Sequence, residues 1–376
     1  MADVKTALVG YGYAGKTIHA PLIRAAKGLE LATVVSSRPA DVRADLPGVT
    51  VAPDLAAALA DPSIELVVIA TPNDIHASQA HEALEAGRHV VIDKPFALSV
   101  AEGESVLAHA ERVRKTVSVF HCRRWDSHYL TFQAVRPRLG DLYQVVFRYD
   151  RLRPVVRDRW RERAGPGSGI WFDLGSHLAD QALSLFGWPE WISADIAGQR
   201  PGAQTDDYFH VTLGYGPLRV ILHSSMMTAI SGPVLEAQGA LGAFIKSGMD
   251  MQEEMLKAGR TPGDAGWGAD PVSGLFIPVT DNLPGQPEDI TAIPGNYLAY
   301  YEAVAKTIRE NAPNPVTGED ALKVMKLLEL GFISSREGRS AHLAYSAASS
   351  PLIPCSSKAM VRSNPKMATK DPKRGP

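Results

Sequence analysis

Asp173, His177 and Asp180 are the side chains whose spacing most directly suggests chemistry in this sequence. They fall at positions i, i+4 and i+7, so a helix would carry them on one face. A histidine can exchange a proton near neutral pH, and a carboxylate one turn away can orient its ring. The same three groups could ligate a metal ion or form a solvated polar stripe. The spacing alone leaves all three interpretations open.

A lysine in an unusual setting is the second candidate. Lys94 stands between Asp93 and Pro95, directly after the apolar run of residues 89–92, which we predict to be a strand. Ligands of open α/β sheets bind outside the carboxyl ends of the strands. Lys94 is therefore either a surface charge or a cation aimed at a bound ligand.

A glycine-rich loop follows the first predicted strand, residues 5–9, and opens the first predicted helix. Gly10 would allow the tight turn, Gly12 would let the backbone approach a pyrophosphate, and Gly15 would let the helix press on the sheet. The helix start offers free N–H groups to an anion. Because the pattern stands at a strand-to-helix junction, it predicts a dinucleotide site that includes Tyr13 and Ala14, rather than a chance glycine turn.

The end of the second predicted strand indicates which nicotinamide cofactor binds. An NAD site usually has an acidic residue there for the ribose 2′-hydroxyl, whereas this chain has Ser36, Ser37 and Arg38. Two hydroxyls and a guanidinium would pair with a 2′-phosphate. We therefore predict NADP, with NAD as the less favoured alternative, in which Arg38 is a solvated loop residue.

A third loop, Thr71, Pro72 and Asn73, with His76 behind it, follows another apolar strand pattern. Its position at the carboxyl end of the strand predicts that it lines the cofactor site. An ordinary turn before a helix is the alternative.

The order of predicted strands and helices differs between the two halves of the chain. Short Val/Ile-rich runs alternate with helical patterns up to about residue 121, which is typical of a parallel sheet covered on both faces. Consecutive strand patterns then predict an open antiparallel sheet with one wet face. The predicted strands span 5–9, 30–36, 65–70, 89–92, 117–120, 142–149, 191–199, 209–215, 219–225 and 235–239, and the predicted helices span 14–26, 55–60, 78–86, 101–112, 172–185, 297–309 and 319–336.

The composition indicates which classes of partner the protein has and in which compartment it lies. The formal net charge of -2 favours neither nucleic acid nor an acidic membrane as a partner, and no apolar run approaches the roughly 20 residues of a membrane span. Two distant cysteines indicate a reducing compartment. Because the first residues show no signal peptide, we predict a cytoplasmic protein.

Four motifs in this order resemble those of the glucose–fructose oxidoreductase/inositol dehydrogenase/MocA family, over residues 4 to about 340. The ordered set is far more specific than any one motif. The chain also resembles the NADP-dependent scyllo-inositol dehydrogenase branch, through SSR at 36–38, HCRRWD at 121–126, DYFH at 207–210 and GADP at 268–271. The family motifs are GYGYAG at 10–15, TPNDIH at 71–76, DKP at 93–95 and DLGSHLADQ at 173–181.

The resemblance implies an α/β chain with an N-terminal Rossmann dinucleotide-binding domain, followed by an α+β domain with a large open, mainly antiparallel sheet. We expect these domains at 1–121 and 122–345, and a disordered tail at 346–376, where Ser, Pro and Lys are frequent. Members commonly pair through the open sheet, so a homodimer or homotetramer is expected.

The resemblance also implies a catalytic triad of Lys94, Asp173 and His177, with no metal. Pro95 falls where the family often has a cis proline, and Asp93 lies in the cofactor site where many members have Glu. We expect an NADP(H)-dependent oxidoreductase that interconverts a secondary alcohol and a ketone on a polyol or sugar-like substrate, such as an inositol or inosose.

In that mechanism His177 would take the hydroxyl proton, Lys94 would stabilise the developing alkoxide, and Asp173 would fix the His177 tautomer. Whether Lys94 or His177 is the immediate proton acceptor stays open. Structural ion pairing, or a core or interface tryptophan, is the alternative role for the candidate substrate contacts. These are Arg123, Arg124, Asp126, Arg153 and Trp160.

Three other functions stay open at this point. The chain could be a non-catalytic dinucleotide-binding sensor, or a metal-dependent hydro-lyase or aldolase that uses the Asp173, His177 and Asp180 stripe. It could also transfer hydride between two sugars through a tightly held cofactor. Polyols, inososes, aldoses and deoxy-keto sugars all stay open as substrates.

Overall fold

The computed structural model describes residues 2–343, and its first half is built around a six-stranded, wholly parallel sheet. The strand order β3-β2-β1-β4-β5-β6 places the crossover between β1 and β4, where open sheets of this type bind ligands. The fourth strand, LVVI, is buried throughout, as expected for a sheet covered on both faces. The strands are β1 (Val4–Val9), β2 (Leu29–Val35), β3 (Thr50–Ala52), β4 (Leu66–Ile69), β5 (His89–Asp93) and β6 (Val117–Phe120).

Helices cover this sheet, and their starts follow the sequence signals. Asp54 caps α3 by accepting a hydrogen bond from the Ala57 N–H at 2.8 Å, and Ser99 caps α5 in the same way. The predicted helix 14–26 is a π-helical turn, Ala14–His19, followed by α1. The helices are α1 (Ala20–Ala25), α2 (Pro39–Asp45), α3 (Leu55–Leu59), α4 (His76–Glu85) and α5 (Val100–Val113), with a 3₁₀ turn at Asn73–Ile75.

A second sheet of ten strands follows, after a 3₁₀ turn at Cys122–Trp125, helix α6 (Ser127–Val135) and a 3₁₀ turn at Arg136–Arg138. One central pair, β7 with β10, is parallel, and the other pairs are antiparallel. The strands are β7 (Leu142–Arg148), β8 (Trp191–Ala197), β9 (Tyr208–Tyr215), β10 (Leu218–Ser225), β11 (Leu235–Gly239), β12 (Gly242–Lys246), β13 (Gly274–Thr280), β14 (Leu283–Pro284), β15 (Glu288–Ile290) and β16 (Ala341–His342).

One face of this sheet is covered by helices. Alternate residues of β9, Phe209, Val211 and Leu213, are fully buried under them. Trp171 packs edge-on against Phe209 and donates its indole N–H to the Leu328 carbonyl at 3.0 Å. The π-helical turn at Trp171–Gly175 and the helices α7 (Ser176–Phe186) and α10 (Gly318–Glu337) pack on this face together with α6. The chain also forms a 3₁₀ turn at Trp160–Glu162 and the helices α8 (Gln252–Lys257) and α9 (Leu298–Glu310).

The last two helices join the two cores. Tyr301 and Val304 of α9 are buried in the first core, while Leu327 and Leu328 of α10 are buried in the second. The two sheets therefore change over near residue 121, but residues 297–325 return to complete the first core. The expected fold class is confirmed, whereas the expected tail at 346–376 lies outside the described residues.

Candidate active site

Three loops of the first sheet meet at the carboxyl ends of β1, β4 and β5. The glycine loop follows β1, the Thr71 loop follows β4, and the Asp93–Pro95 segment follows β5. Because β1 pairs with β4 and β4 with β5, the three loops lie side by side along one edge. This edge is where the sequence predicts the cofactor.

The glycine loop has the geometry of a dinucleotide turn. Gly10 has φ +97°, and a Cβ there would meet the Ala70 carbonyl oxygen at 2.7 Å. A Cβ at Gly15 would lie 2.0 Å from the Gly10 carbonyl oxygen, so helix and turn pack backbone to backbone. Around Gly12 there is no atom within 4 Å of such a Cβ. The middle of the loop is therefore open to a ligand while its two ends are closed.

The loop after β2 borders a cavity of about 350 Å³ that also reaches Gly10 and Gly12. Ser36, Ser37 and Arg38 all line it. The Arg38 backbone N–H donates to Ser36 Oγ at 3.0 Å, and its Nη2 donates to the Tyr11 carbonyl at 2.7 Å. An open cavity edged by hydroxyls and a guanidinium fits the adenosine end of a dinucleotide.

The loop after β4 contributes the Asn73 side-chain amide, and the His76 ring at its end connects two loops. The Asn73 side chain is buried, and its Nδ2 has no hydrogen-bond partner among the described residues, which suits a group reserved for a ligand. The His76 ring contacts the Pro95 carbonyl at 2.9 Å and the Thr71 carbonyl at 3.0 Å. His76 thus holds two of the loops together, while Pro72 lies exposed beside them.

Asp93 fixes the backbone that presents Lys94. Its Oδ1 accepts a hydrogen bond from the Lys94 N–H at 2.9 Å, and the buried His19 ring lies 3.7 Å away. Burial would raise the pKa of the Asp93 carboxyl, but the nearby His19 ring and the positive charge of Lys94 outweigh it, so the pKa is lowered. The Lys94–Pro95 peptide bond is cis, as the family resemblance implies.

Lys94 and Asp173 join the two halves of the molecule. The Lys94 ammonium donates to the Asp173 carbonyl at 2.8 Å and to its carboxylate Oδ1 at 2.7 Å. Arg161 Nε stands 3.9 Å from the same carboxylate oxygen. Burial alone would raise the pKa of Asp173, but Lys94 and Arg161 outweigh it and hold the pKa below its usual range. The carboxylate is therefore ionised and committed to the lysine.

His177 lies in the first turn of α7 and is buried. Its Nδ1 has no hydrogen-bond partner among the described residues. Burial, with the positive charges of Lys94 and Arg123 nearby, holds the pKa of the ring well below its ordinary value. A neutral imidazole with a free nitrogen can accept a proton from a bound hydroxyl.

The expected contact between Asp173 and His177 is replaced by another. The Asp173 carboxylate faces Lys94, because a full positive charge attracts a carboxylate more strongly than a neutral imidazole does. Asp173 therefore positions the ammonium group and does not set the His177 tautomer in this structure.

Two expected substrate contacts are structural ion pairs. Arg124 donates to both oxygens of the buried Asp180, with its shortest contact at 2.7 Å. Asp126 is fully buried and accepts from the Tyr297 hydroxyl at 2.6 Å and from Arg123 at 3.1 Å. Both groups therefore hold the fold through these ion pairs, and their contact with a substrate stays an untested prediction.

The other three candidates differ in what they offer. Arg123 lies 5.2 Å over the Tyr149 ring and pairs with Asp126, yet its buried Nε has no partner among the described residues. Arg153 is half-buried, and the Trp160 side chain lies outside the described residues. Arg123 and Arg153 therefore remain as substrate contacts to be tested.

The structure separates the proposed metal ligands. Asp173 is held by Lys94 and Asp180 by Arg124. Within residues 2–343, no three His, Cys, Asp or Glu side chains are grouped so as to hold a metal ion. The stripe with helical spacing is thus split between two ion pairs.

Sequence reasoning missed two neighbours of the site. Glu253 of α8 accepts from the Tyr13 hydroxyl at 2.6 Å and lies 3.6 Å from Arg123, so it connects the glycine loop with the second half of the chain. Arg151 is among the charges that act on both Asp173 and His177. An alternation of arginines at 151 and 153 was the available signal for the second, whereas nothing in the sequence marks Glu253.

Comparisons with known proteins identify the family of this chain. Residues 4–121 match the model of the oxidoreductase family's NAD-binding Rossmann fold, and residues 134–343 match its C-terminal alpha/beta domain. The uncharacterized oxidoreductase YdgJ of Escherichia coli is 45% identical over 89% of this chain and 97% of its own. The NADP(+) scyllo-inositol 2-dehydrogenase IolW of Bacillus subtilis is 38% identical over 91% and 96%.

A solved structure shares the whole architecture. The putative oxidoreductase of Yersinia pestis superposes with a TM-score of 0.88 at 43% identity, covering 92% of this chain and 98% of its own. Among residues 2–343, no helix combines the length and the apolar surface needed to cross a bilayer. Because both domain models of the family match in chain order, the chain belongs to the Gfo/Idh/MocA family of NAD(P)-dependent oxidoreductases.

Proposed function

We propose that this protein is an NADP(H)-dependent oxidoreductase that interconverts a secondary alcohol and a ketone on a polyol or sugar-like substrate of the inositol/inosose type. The observation that carries the proposal is the Lys94 ammonium, bound to Asp173 at 2.7 Å beside a buried, neutral His177. This pair lies at the strand edge that carries the open glycine loop.

The three residues divide the chemistry. Bound NADP supplies or accepts the hydride at its nicotinamide ring. The His177 imidazole takes the substrate hydroxyl proton when the alcohol is oxidised. Lys94 places a positive charge beside the oxygen as negative charge develops there, which is often worth a few kcal/mol. Asp173, an ionised carboxylate, holds the ammonium in place.

The preference for NADP rests on Ser36, Ser37 and Arg38 at the edge of the cavity. None of them is acidic, so they offer a 2′-phosphate two hydroxyls and a guanidinium, although Asp41 lies 3.5 Å from Arg38 and Asp54 lines the same cavity. The relative IolW is named for NADP(+) and scyllo-inositol, which supports the same cofactor and a polyol substrate for this chain. We further propose a cytoplasmic homodimer or homotetramer that pairs through the second sheet.

A panel of initial rates tests the proposal. Purified protein is assayed with NADPH and with NADH against inososes and ketoses, and with the oxidised cofactors against inositols and aldoses. We expect turnover with NADPH on at least one polyol ketone. Lys94→Ala and His177→Ala should each lower kcat by about 10²-fold or more, while Lys27→Ala, an exposed control, should not.

The same panel separates the rival functions. Arg38→Ala should weaken NADPH binding by about 10-fold or more with little effect on NADH, because only NADPH carries the 2′-phosphate. Near-wild-type turnover in both Lys94→Ala and His177→Ala would refute the catalytic assignment. Cofactor binding without any turnover would favour the sensor.

A further inference from the structure

We propose that the substrate bound in this cleft carries a negatively charged group, a phosphate or a carboxylate, which Arg151, Arg153 and Arg157 bind. The inference rests on the proposed function, because it names the substrate class of the same site. A neutral polyol would need hydrogen-bonding groups there, but it would not need an excess of positive charge.

The segment that follows β7 is unusually rich in arginine. Residues 150–163 read DRLRPVVRDRWRER, with six arginines against three acidic residues. Each of the three acidic residues already lies beside a basic side chain. Asp150 lies within 3.6 Å of Arg148 and His223, Asp158 pairs with Arg163 at 2.7 Å, and Glu162 pairs with Arg159 and Arg200.

Three guanidinium groups are left over after this pairing. Among the described residues, no carboxylate lies within ion-pair distance of Arg151, Arg153 or Arg157, and no hydrogen bond from their side chains is found. Arg151 and Arg153 are half-buried. Charged side chains are normally paired or fully solvated, so the half-buried Arg151 and Arg153 call for an anion, to which the exposed Arg157 would add a further positive charge.

The backbone directs Arg151 toward the active site. Beyond β7 the chain stays extended along β10, since the Tyr149 N–H donates to the His223 carbonyl and the Arg151 N–H to the Ser225 carbonyl. Side chains two residues apart share a face of an extended chain. Arg151 therefore follows Tyr149, whose hydroxyl donates to the buried Asp126, on the face that is covered by the helices.

The charges of the cleft leave Arg151 uncompensated. Lys94 is matched by Asp173 at 2.7 Å, and Arg123 is matched by Asp126 and Glu253. Arg151 acts on Asp173 and His177 across the cleft without an ion pair to either. A bound anion at this place would lie next to the proposed reacting centre.

Mutual repulsion supports the same conclusion. Burial and the neighbouring charges of Arg151, Arg159 and Arg157 lower the pKa of Arg153. Of these arginines, within the described part of the chain, only Arg159 has a carboxylate partner, Glu162, so the other like charges repel one another until an anion relieves them. The planar guanidinium fork matches the oxygens of phosphate and carboxylate, and this cluster is separate from Arg38, which serves the cofactor.

Binding of three matched sugars tests the inference. D-glucose, D-glucose 6-phosphate and D-glucuronate share a ring and differ at C6, so their affinities isolate the charge. Each is titrated calorimetrically into protein saturated with NADP+, at low salt, for wild type, Arg151→Gln and Arg153→Gln. Arg163→Gln is the matched control, because its partner Asp158 is exposed and lies in the same segment.

We expect both anionic sugars, or the one that carries the preferred anion, to bind about 10-fold or more tighter than glucose. Arg151→Gln and Arg153→Gln should each lower the affinity for the anionic sugars much more than the affinity for glucose, and should leave the affinity for NADP+ unchanged. Tighter binding of the phosphate than of the carboxylate identifies a phosphorylated substrate, and the reverse identifies a sugar acid.

Equal affinities for the three sugars would overturn the inference, and so would an equal loss in Arg163→Gln. Binding of inorganic phosphate without any gain for the anionic sugars over glucose would overturn it too. Turnover of neutral polyols with no anion preference would leave the proposed function standing and remove only this inference. An anion preference with no hydride transfer to any sugar would do the opposite.

Discussion

Lys94 and Asp173 meet from opposite halves of the chain, and their ion pair fixes what each neighbour can do. The Asp173 carboxylate faces the Lys94 ammonium at 2.7 Å and holds it in place. Burial and the positive charges of Lys94, Arg123 and Arg151 lower the pKa of His177. The residue suited to accept a proton is therefore the histidine, and the lysine is suited to stabilise negative charge on oxygen.

The lowered pKa of His177 predicts the pH dependence of alcohol oxidation. Below its pKa the ring is protonated and cannot accept the hydroxyl proton. Because the folded pKa lies well below the ordinary 6.5, the ring stays neutral from pH 8 to about pH 6. The groups that act on its ring are Lys94, Arg123, His121 and Arg151, and each of them disfavours protonation.

We expect kcat/KM for oxidation to show no acid limb between pH 6 and 8, and to fall only at lower pH. Initial rates from pH 5 to 8 at constant ionic strength measure this, with circular dichroism at each pH as the control for unfolding. An acid limb with an apparent pKa near 6.5 or above would contradict the assignment of His177 as the base.

At the scale of elements, the sequence predicts best where the signal is local. The Val/Ile-rich strands and GYGYAG place the cofactor edge correctly, because a buried parallel strand and a glycine turn each need particular residue types. Helix α2 and strand β3 were missed, since seven and three residues carry too little periodicity.

Partners of charged groups were not predictable from the sequence. Asp173 turns to Lys94, which is 79 residues away in the chain, and Arg124 turns to Asp180, which is 56 residues away. Such choices depend on how the two sheets are joined, and a helical spacing of Asp173 and His177 says nothing about them. The unpaired state of Arg151 likewise becomes visible only after every acid has been assigned.

The glycine loop predicts a contrast between two substitutions to alanine. At Gly15 a Cβ would meet the Gly10 carbonyl oxygen at 2.0 Å, so backbone must move. At Gly12 a Cβ meets no atom within 4 Å. We expect Gly15→Ala to destabilise the protein by about 2 kcal/mol or more, whereas Gly12→Ala should change stability by less than about 0.5 kcal/mol.

Gly12→Ala should impair cofactor binding, although it should hardly affect stability. Its methyl group would occupy the space that a pyrophosphate needs, so Gly12→Ala should bind NADPH about 10-fold or more weakly while it remains fully folded. Chemical denaturation measures stability, and NADPH fluorescence titration measures affinity. A Gly12→Ala protein with normal affinity would show that the ligand does not approach this loop.

At the scale of the whole molecule, the face of the second sheet opposite the helices is conspicuous. A row of residues paired strand to strand crosses it, and most of its members are apolar. They are half-buried or buried although they point away from the helix-covered core. The row is Leu275, Ile245, Glu236, Val146 and Ile221.

Such a row predicts self-association through this face. A second copy would cover the apolar row, and a stable pair would bury about 1,200–2,000 Å². We expect light scattering after size exclusion to give a dimer or tetramer for wild type and a smaller species for Ile221→Glu, because a second carboxylate would be buried in the row without a cation to pair with it. Ala101→Glu, on the exposed start of α5, is the control and should not alter the mass.

Activity of the dissociated protein then tests whether one chain suffices. Lys94, Asp173, His177 and the cavity of the glycine loop all belong to a single chain. A folded Ile221→Glu monomer should therefore keep kcat within about threefold of wild type, since the open face lies opposite the catalytic helices. A wild-type monomer at micromolar concentration would contradict the pairing. A folded but inactive variant would mean that a neighbouring copy is needed at the site. That copy would either supply a group to it or hold α7 and β7 in their relative positions.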